Sequence, residues 1–200
     1  MVDPPIGQSA HRCKWSSRTG YAQLTMDERH TGARVAFAAE GVANVSTGLP
    51  VLDHLVTELA RAGRFKLALE VGAGGADEAV VAAGNSLGRA FGERVATPGA
   101  AGRGWALVPA DEALALAALE RVSEPRLVTN VDVSGQRVGG LGTDVASRFL
   151  HELAQAAGLN LHVRLVEGTD PQHVLTAIFK AVGAALGQAC RPVPETKEDL

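Results

Sequence analysis

The sequence predicts an α+β fold built from duplicated half-domains, each a small mixed sheet packed on two helices. Three observations predict it. Strand-like and helix-like stretches follow one another as strand pair, helix, strand, helix, and that order runs twice. The residues repeat with the order. A shift of 94 sets Glu58, Leu59, Ala60, Ala62 and Leu67 on Glu152, Leu153, Ala154, Ala156 and Leu161, and a shift of 99 sets Ala82, Gly84, Leu87, Gly88 and Ala90 on Ala181, Gly183, Leu186, Gly187 and Ala189. Finally, 46% apolar and 20% charged residues in a chain of 200 leave enough apolar side chain for a sizeable core. The expected division is a mobile tail over 1–20, half-domains over 21–95 and 96–190, and a C-terminal tail over 191–200.

Residues 22–28 and 33–39, separated by 29–32, are expected to form a hairpin, and 42–50 a turn-rich connection. From 52 to 62 the apolar positions Leu52, Leu55, Val56 and Leu59 recur at helical spacing and Gly63 ends the run. Phe65, Leu67, Leu69 and Val71 then alternate as one face of a strand. A small-residue helix over 77–91 stops at Gly92, and 97–104, with one proline and three glycines, is a loop. Residues 105–109 read as strand. Residues 111–122 have helical propensity but are short enough to be strand in context. Strand over 126–133, helix over 143–157, strand over 159–165 and helix over 171–189 complete the second run.

A net charge of -3 without an arginine-rich run argues against nucleic acid and anionic membrane as partners. Cys13 and Cys190, far apart and outside any C-x-x-C, suggest two reduced thiols in a cytoplasmic protein. The first twenty residues lack the apolar run of a signal peptide, and Lys180 interrupts the most apolar helix, so no membrane span is expected.

The chemistry-bearing segment is 168–181, GTDPQHVLTAIFKA. Asp170 can accept from free amides of a first helical turn, and Pro171 supplies a preset φ where no amide is needed. His173 then falls on the first turn and Lys180 two turns on. Four further segments carry a pattern: STGLPVLDHL at 46–55, LVPADEAL at 107–114, LNLHVRL at 159–165 and VPETKEDL at 193–200. Together these resemble the imidazoleglycerol-phosphate dehydratases of histidine biosynthesis. The matching helix of that family opens N-x-H-H-x-x-E-A-x-F-K-A, and its other motifs read T-G-[ILF]-P-F-[LF]-D-H-M, V-P-M-D-E-A-L, a strand histidine at the place of His162, and P-S-T-K-G-x-L. The likeness spans roughly 29–200.

The resemblance implies elimination of water from imidazole glycerol phosphate to give imidazole acetol phosphate, by a carbon-oxygen lyase that holds the substrate ring between two manganese ions. It also implies a homo-oligomer of trimers assembling into a 24-mer. By residue, it assigns catalysis to Lys180 and Asp53, metal to His54, His162 and His173, and substrate phosphate to Lys197, Thr196 and Arg103.

The departures fall on the chemistry. Gln172 stands at the family's first histidine and Thr176 at its glutamate, so one helix loses two transition-metal donors. In the first half the paired histidines fall on Ala73 and Gly74 and the glutamate on Asp77, behind a connection five residues shorter than its repeat. Two arginines fall on Gly102, beside Arg103, and on Glu124, and the phosphate-contacting serine becomes Glu195. The three histidines suffice for at most one sparse site, and no tightly bound cofactor is expected. Each candidate also has a plain reading: His54 as a polar first-turn residue, His162 and His173 as solvated side chains, Lys180 as a surface lysine, and 195–200 as a solvated tail. The expected function is a dehydratase-like protein that is weakly active or inactive. The alternatives are a non-catalytic structural or ligand-binding paralogue, and an active lyase with a rearranged site using Asp77, Glu78 or neighbouring subunits.

Overall fold

The computed structural model describes residues 31–131, 137–138 and 141–193. The expected strand over 22–28 and both ends of the chain lie outside them. The described chain forms β1 (Gly32–Phe37), β2 (Val42–Ser46), α1 (Pro50–Gly63), β3 (Phe65–Glu70) and α2 (Ala76–Val95). It continues with β4 (Arg103–Ala110), β5 (Ala113–Arg121), β6 (Arg126–Thr129), a short β7 (Arg137–Val138) and β8 (Leu141–Gly142), α3 (Thr143–Ala157), β9 (Leu159–Glu167) and α4 (Pro171–Ala189).

Two small mixed sheets result. In the first, β3 lies between β1, to which it is antiparallel, and β2, to which it is parallel. In the second, β9 lies between antiparallel β5 and parallel β6, with β4 added beside β5. The order β1-β3-β2 is therefore repeated by β5-β9-β6 with the same strand directions.

Three expectations need correction. Residues 42–46 are a strand and not part of a turn-rich connection: Ala43 and Val45 pack inward while Ser46 pairs with Glu70. The helix over 77–91 runs on through Gly92 to Val95, because buried Phe91 and Val95 continue its apolar face. Residues 130–131 fall outside β6. The ambiguous 111–122 resolves as β5, where Ala113, Ala115, Ala117 and Leu119 are buried at every second position.

The helices bind the halves into one core. α1 and α2 pack on the first sheet and α3 and α4 on the second, while α1 meets α4 and α2 meets α3. The repeated glycines make these crossings. A Cβ on Gly183 would strike the Leu59 carbonyl of α1, and one on Gly84 would lie 2.8 Å from the Phe149 carbonyl of α3. One turn on, Gly187 meets the Gly63 carbonyl at 2.8 Å and Gly88 the Leu153 carbonyl at 2.6 Å. Glycines that correspond by sequence shift thus face a partner helix in both halves, but one turn apart in register. Polar links show the same one-turn offset: Glu58 reaches Lys180 of α4, and its repeat mate Glu152 accepts from Asn85 of α2 at 3.0 Å.

Candidate functional site

α4 starts as its sequence dictates. Asp170 adopts extended backbone and its Oδ1 accepts from Gln172 N at 2.8 Å and His173 N at 3.2 Å. Facing this turn is the two-residue connection between β4 and β5, where Asp111 takes φ 50, a left-handed conformation that aspartate tolerates better than most residues. The connection points two carboxylates at one ring. Glu112 Oε2 lies 2.5 Å from His173 Nδ1, and Asp111 Oδ2 lies 3.6 Å from Nε2. Glu112 Oε1 accepts from Asp170 N at 3.0 Å and from Thr169 N at 3.4 Å. These amides and the His173 ring hold the Glu112 carboxyl down at about 2, and Glu112 in turn raises His173 above its ordinary range.

The neighbouring positions on α4 offer little to a metal. The Thr176 hydroxyl donates to the Gln172 carbonyl at 2.8 Å, so it is turned onto its own helix. Gln172 is an exposed amide. In the first half, Ala73 and Gly74 carry no donor and Glu78 accepts from Gly75 N at 3.3 Å, capping α2. Asp77 is exposed on the first turn. Among the described residues, no three His, Cys, Asp or Glu side chains converge as a metal site. A two-ion site with histidine and carboxylate donors on both helix starts does not fit these residues.

The remaining candidates are dispersed. Asp53 Oδ1 accepts from Thr47 N at 2.9 Å and from the Thr47 hydroxyl at 2.6 Å, so it fixes the approach to α1, where His54 is exposed. Lys180 Nζ lies 4.0 Å from Glu58 Oε2, within the α1–α4 contact. His162 sits on the outer face of the second sheet, opposite Ala118 on β5 and Val128 on β6, whereas Leu161 and Val163 point to the core. The sheet therefore stands between His162 and the inner, helix-bearing face.

Among the described candidates, Arg103 and His162 are brought together. They line an open groove of about 580 Å3 with Trp105, Glu120, Asn160 and Gln188. Gln188 fixes its edge by accepting from Trp105 N at 3.1 Å, and Asn160 Oδ1 is buried there without a partner. Val193 also lines the groove, and Thr196 and Lys197 follow it outside the described residues. Cys190 takes no part, since burial pushes its thiol up to about 12. Sequence reasoning missed Asp111 and Glu112 as partners of His173, although both lie in the LVPADEAL segment. It also missed Trp105, whose only signal was an aromatic at an outward strand position.

The motifs and the doubled sheet together point to one lineage, and similarity to known proteins bears on it directly. The family profile "Imidazoleglycerol-phosphate dehydratase" matches residues 47–186. The chain belongs to the imidazoleglycerol-phosphate dehydratase family. It is 37% identical over 165 residues to the dehydratase of Heliobacterium modesticaldum, covering 78% of this chain and 82% of that one. To the dehydratase of Pelobacter propionicus it is 34% identical over 185 residues, covering 90% and 95%. The crystal structure of the Staphylococcus aureus dehydratase superposes with a TM-score of 0.74 at 24% identity, covering 82% of this chain and 98% of that one, which supports the fold. Family membership thus accounts for the scaffold. The side chains at the two helix starts are what set this member apart from the motifs quoted for the family.

Proposed function

We propose that this chain is a dehydratase-family protein in which dehydration of imidazole glycerol phosphate is weak or absent, the scaffold having outlasted the chemistry. One observation carries the reading: the retained histidine of the α4 motif has a carboxylate on each ring nitrogen, while its companion positions hold Gln172 and Thr176. The family's ions would stabilise the charge left on the imidazole ring as a carbon loses its proton. Among the described residues the donors for two such ions are not at hand. Asp53 and Lys180 serve the scaffold in this reading, one holding the Thr47 turn and the other facing Glu58. His54 and His162 remain as isolated imidazoles.

What is left is a groove suited to a small phosphorylated ligand. Arg103 lines it, and Thr196 and Lys197 lie three and four residues beyond Val193. The protein acts in the cytoplasm, in keeping with two cysteines outside any C-x-x-C, and no helix among the described residues is long and apolar enough to cross a membrane. It works as a homo-oligomer. Trp105, 66% exposed, and Leu107, 52% exposed, stand on the outer sheet face, where they offer an apolar surface to another copy.

The test is turnover of imidazole glycerol phosphate by the purified full chain supplied with manganese. The expected rate is about a thousandfold or more below that of the Heliobacterium modesticaldum relative, the scale expected when metal-ion stabilisation is lost. A rate within about tenfold of that relative would favour an active hydro-lyase with a rearranged site instead.

A further inference from the structure

Two open grooves meet at one end of the second sheet. Beside the groove of about 580 Å3, another of about 570 Å3 opens between the start of β4 and the end of β5, and Ala101, Arg103 and Glu120 line both. Arg121 lines the second groove, with Gly102 and Ser123.

Arg121 breaks the pattern of its strand. Along β5 the inward series Ala113, Ala115, Ala117 and Leu119 is buried, whereas its next member, Arg121, is exposed at the strand end. Its amide donates to the Gly102 carbonyl at 2.8 Å, and Gly102 takes φ 68, a left-handed turn that suits glycine, before the chain enters β4 at Arg103. The two arginines therefore stand on neighbouring strands, one residue out of register, with Cα atoms about 6 Å apart by strand geometry. Both are exposed, and neither makes an ion pair among the described residues, although Glu120 is the direct cross-strand partner of Arg103. Glu120 Oε1 instead faces Asn160 Nδ2 at 3.5 Å.

We propose that Arg121 and Arg103 grip one phosphoryl group between them in the second groove, which makes Arg121 a binding residue that none of the sequence motifs marks. The proposal rests on the reading of this end of the sheet as the seat of a phosphorylated ligand. A phosphomonoester is largely a dianion at neutral pH. Two planar guanidinium forks can donate to separate oxygens of one such group, so the second arginine adds both charge and orientation. The Glu120 carboxylate stands close to the bound anion and opposes it, so neutralising Glu120 strengthens binding.

Inorganic phosphate titrated into the full chain and followed by phosphorus NMR tests this, with Arg121→Gln, Arg103→Gln and Glu120→Gln. Arg148→Gln, on the exposed side of α3, controls for net charge. The parent is expected to bind saturably. Arg121→Gln and Arg103→Gln should each weaken binding about tenfold, the scale of one charge-assisted hydrogen bond. Glu120→Gln should tighten it and Arg148→Gln leave it unchanged. Circular dichroism matching the parent shows that each variant is folded. Binding weakened by Arg103→Gln but not by Arg121→Gln overturns this proposal and leaves the phosphate reading standing. Equal weakening by Arg148→Gln also overturns it, as a general effect of charge. Absence of saturable binding in the parent overturns both.

Discussion

His173 shows how one side chain can outlive its setting. In the family motif it is one of a histidine pair with a carboxylate a turn later, whereas here Glu112 and Asp111 take its ring from the β4–β5 turn. The two shifts have opposite signs of linkage. Glu112, lowered from 4.5 to about 2, adds stability above 4.5 that is lost as pH falls towards about 2. His173, raised above 6.5, adds stability below 6.5 that is lost as pH rises through its folded value. The clamp is therefore strongest between about 4.5 and 6.5. Thermal melts of the parent and His173→Gln should differ most in that window and converge on either side; a difference independent of pH would show that the pair is not ionic. The histidine itself was legible in GTDPQHVLTAIFKA. Its partners were not, because they lie 61 and 62 residues away and meet it only through the packing of a turn on a helix start.

At the scale of elements, the repeated glycines explain why the halves hold together. Replacing a helical glycine by alanine ordinarily stabilises by about 0.5–1 kcal/mol through backbone entropy. At Gly183 and Gly84 the sign should reverse, since the new methyl meets rigid backbone on the facing helix. Gly183→Ala and Gly84→Ala are each expected to cost about 1–3 kcal/mol by overpacking, measured by urea denaturation. Gly32→Ala, with nothing within 4 Å of the added methyl, serves as the neutral comparison. Most elements were legible because their apolar spacing was clean, as in Leu52, Leu55, Val56 and Leu59. Residues 42–46 misled because glycine, asparagine and serine around them signal turns. Only pairing with β3, which no local pattern records, makes them a strand.

For the whole molecule, the two outer sheet faces differ. The first presents Arg34, Asn44, Lys66 and Glu70 with Val42 as its exposed large apolar side chain, while the second presents both Trp105 and Leu107 beside Ala118 and His162, with Arg103 and Glu120 at one end. That asymmetry makes the second sheet the expected seat of self-association. Sedimentation of Trp105→Lys should show a smaller species than the parent with an unchanged circular dichroism spectrum; an unchanged assembly would place the interface elsewhere. The family, and with it the doubled architecture, was legible in the sequence. The division of labour among the retained residues was not, since Asp53, Lys180 and His173 each found an internal partner that spacing alone does not reveal.

The central claim is that an intact family scaffold has lost its two-ion chemistry. The most direct test is the transition-metal content per subunit of the full chain purified without chelator and equilibrated with manganese. The account predicts none or about one ion held per subunit, against about two for an intact two-ion site. Two tightly held ions per subunit would contradict it.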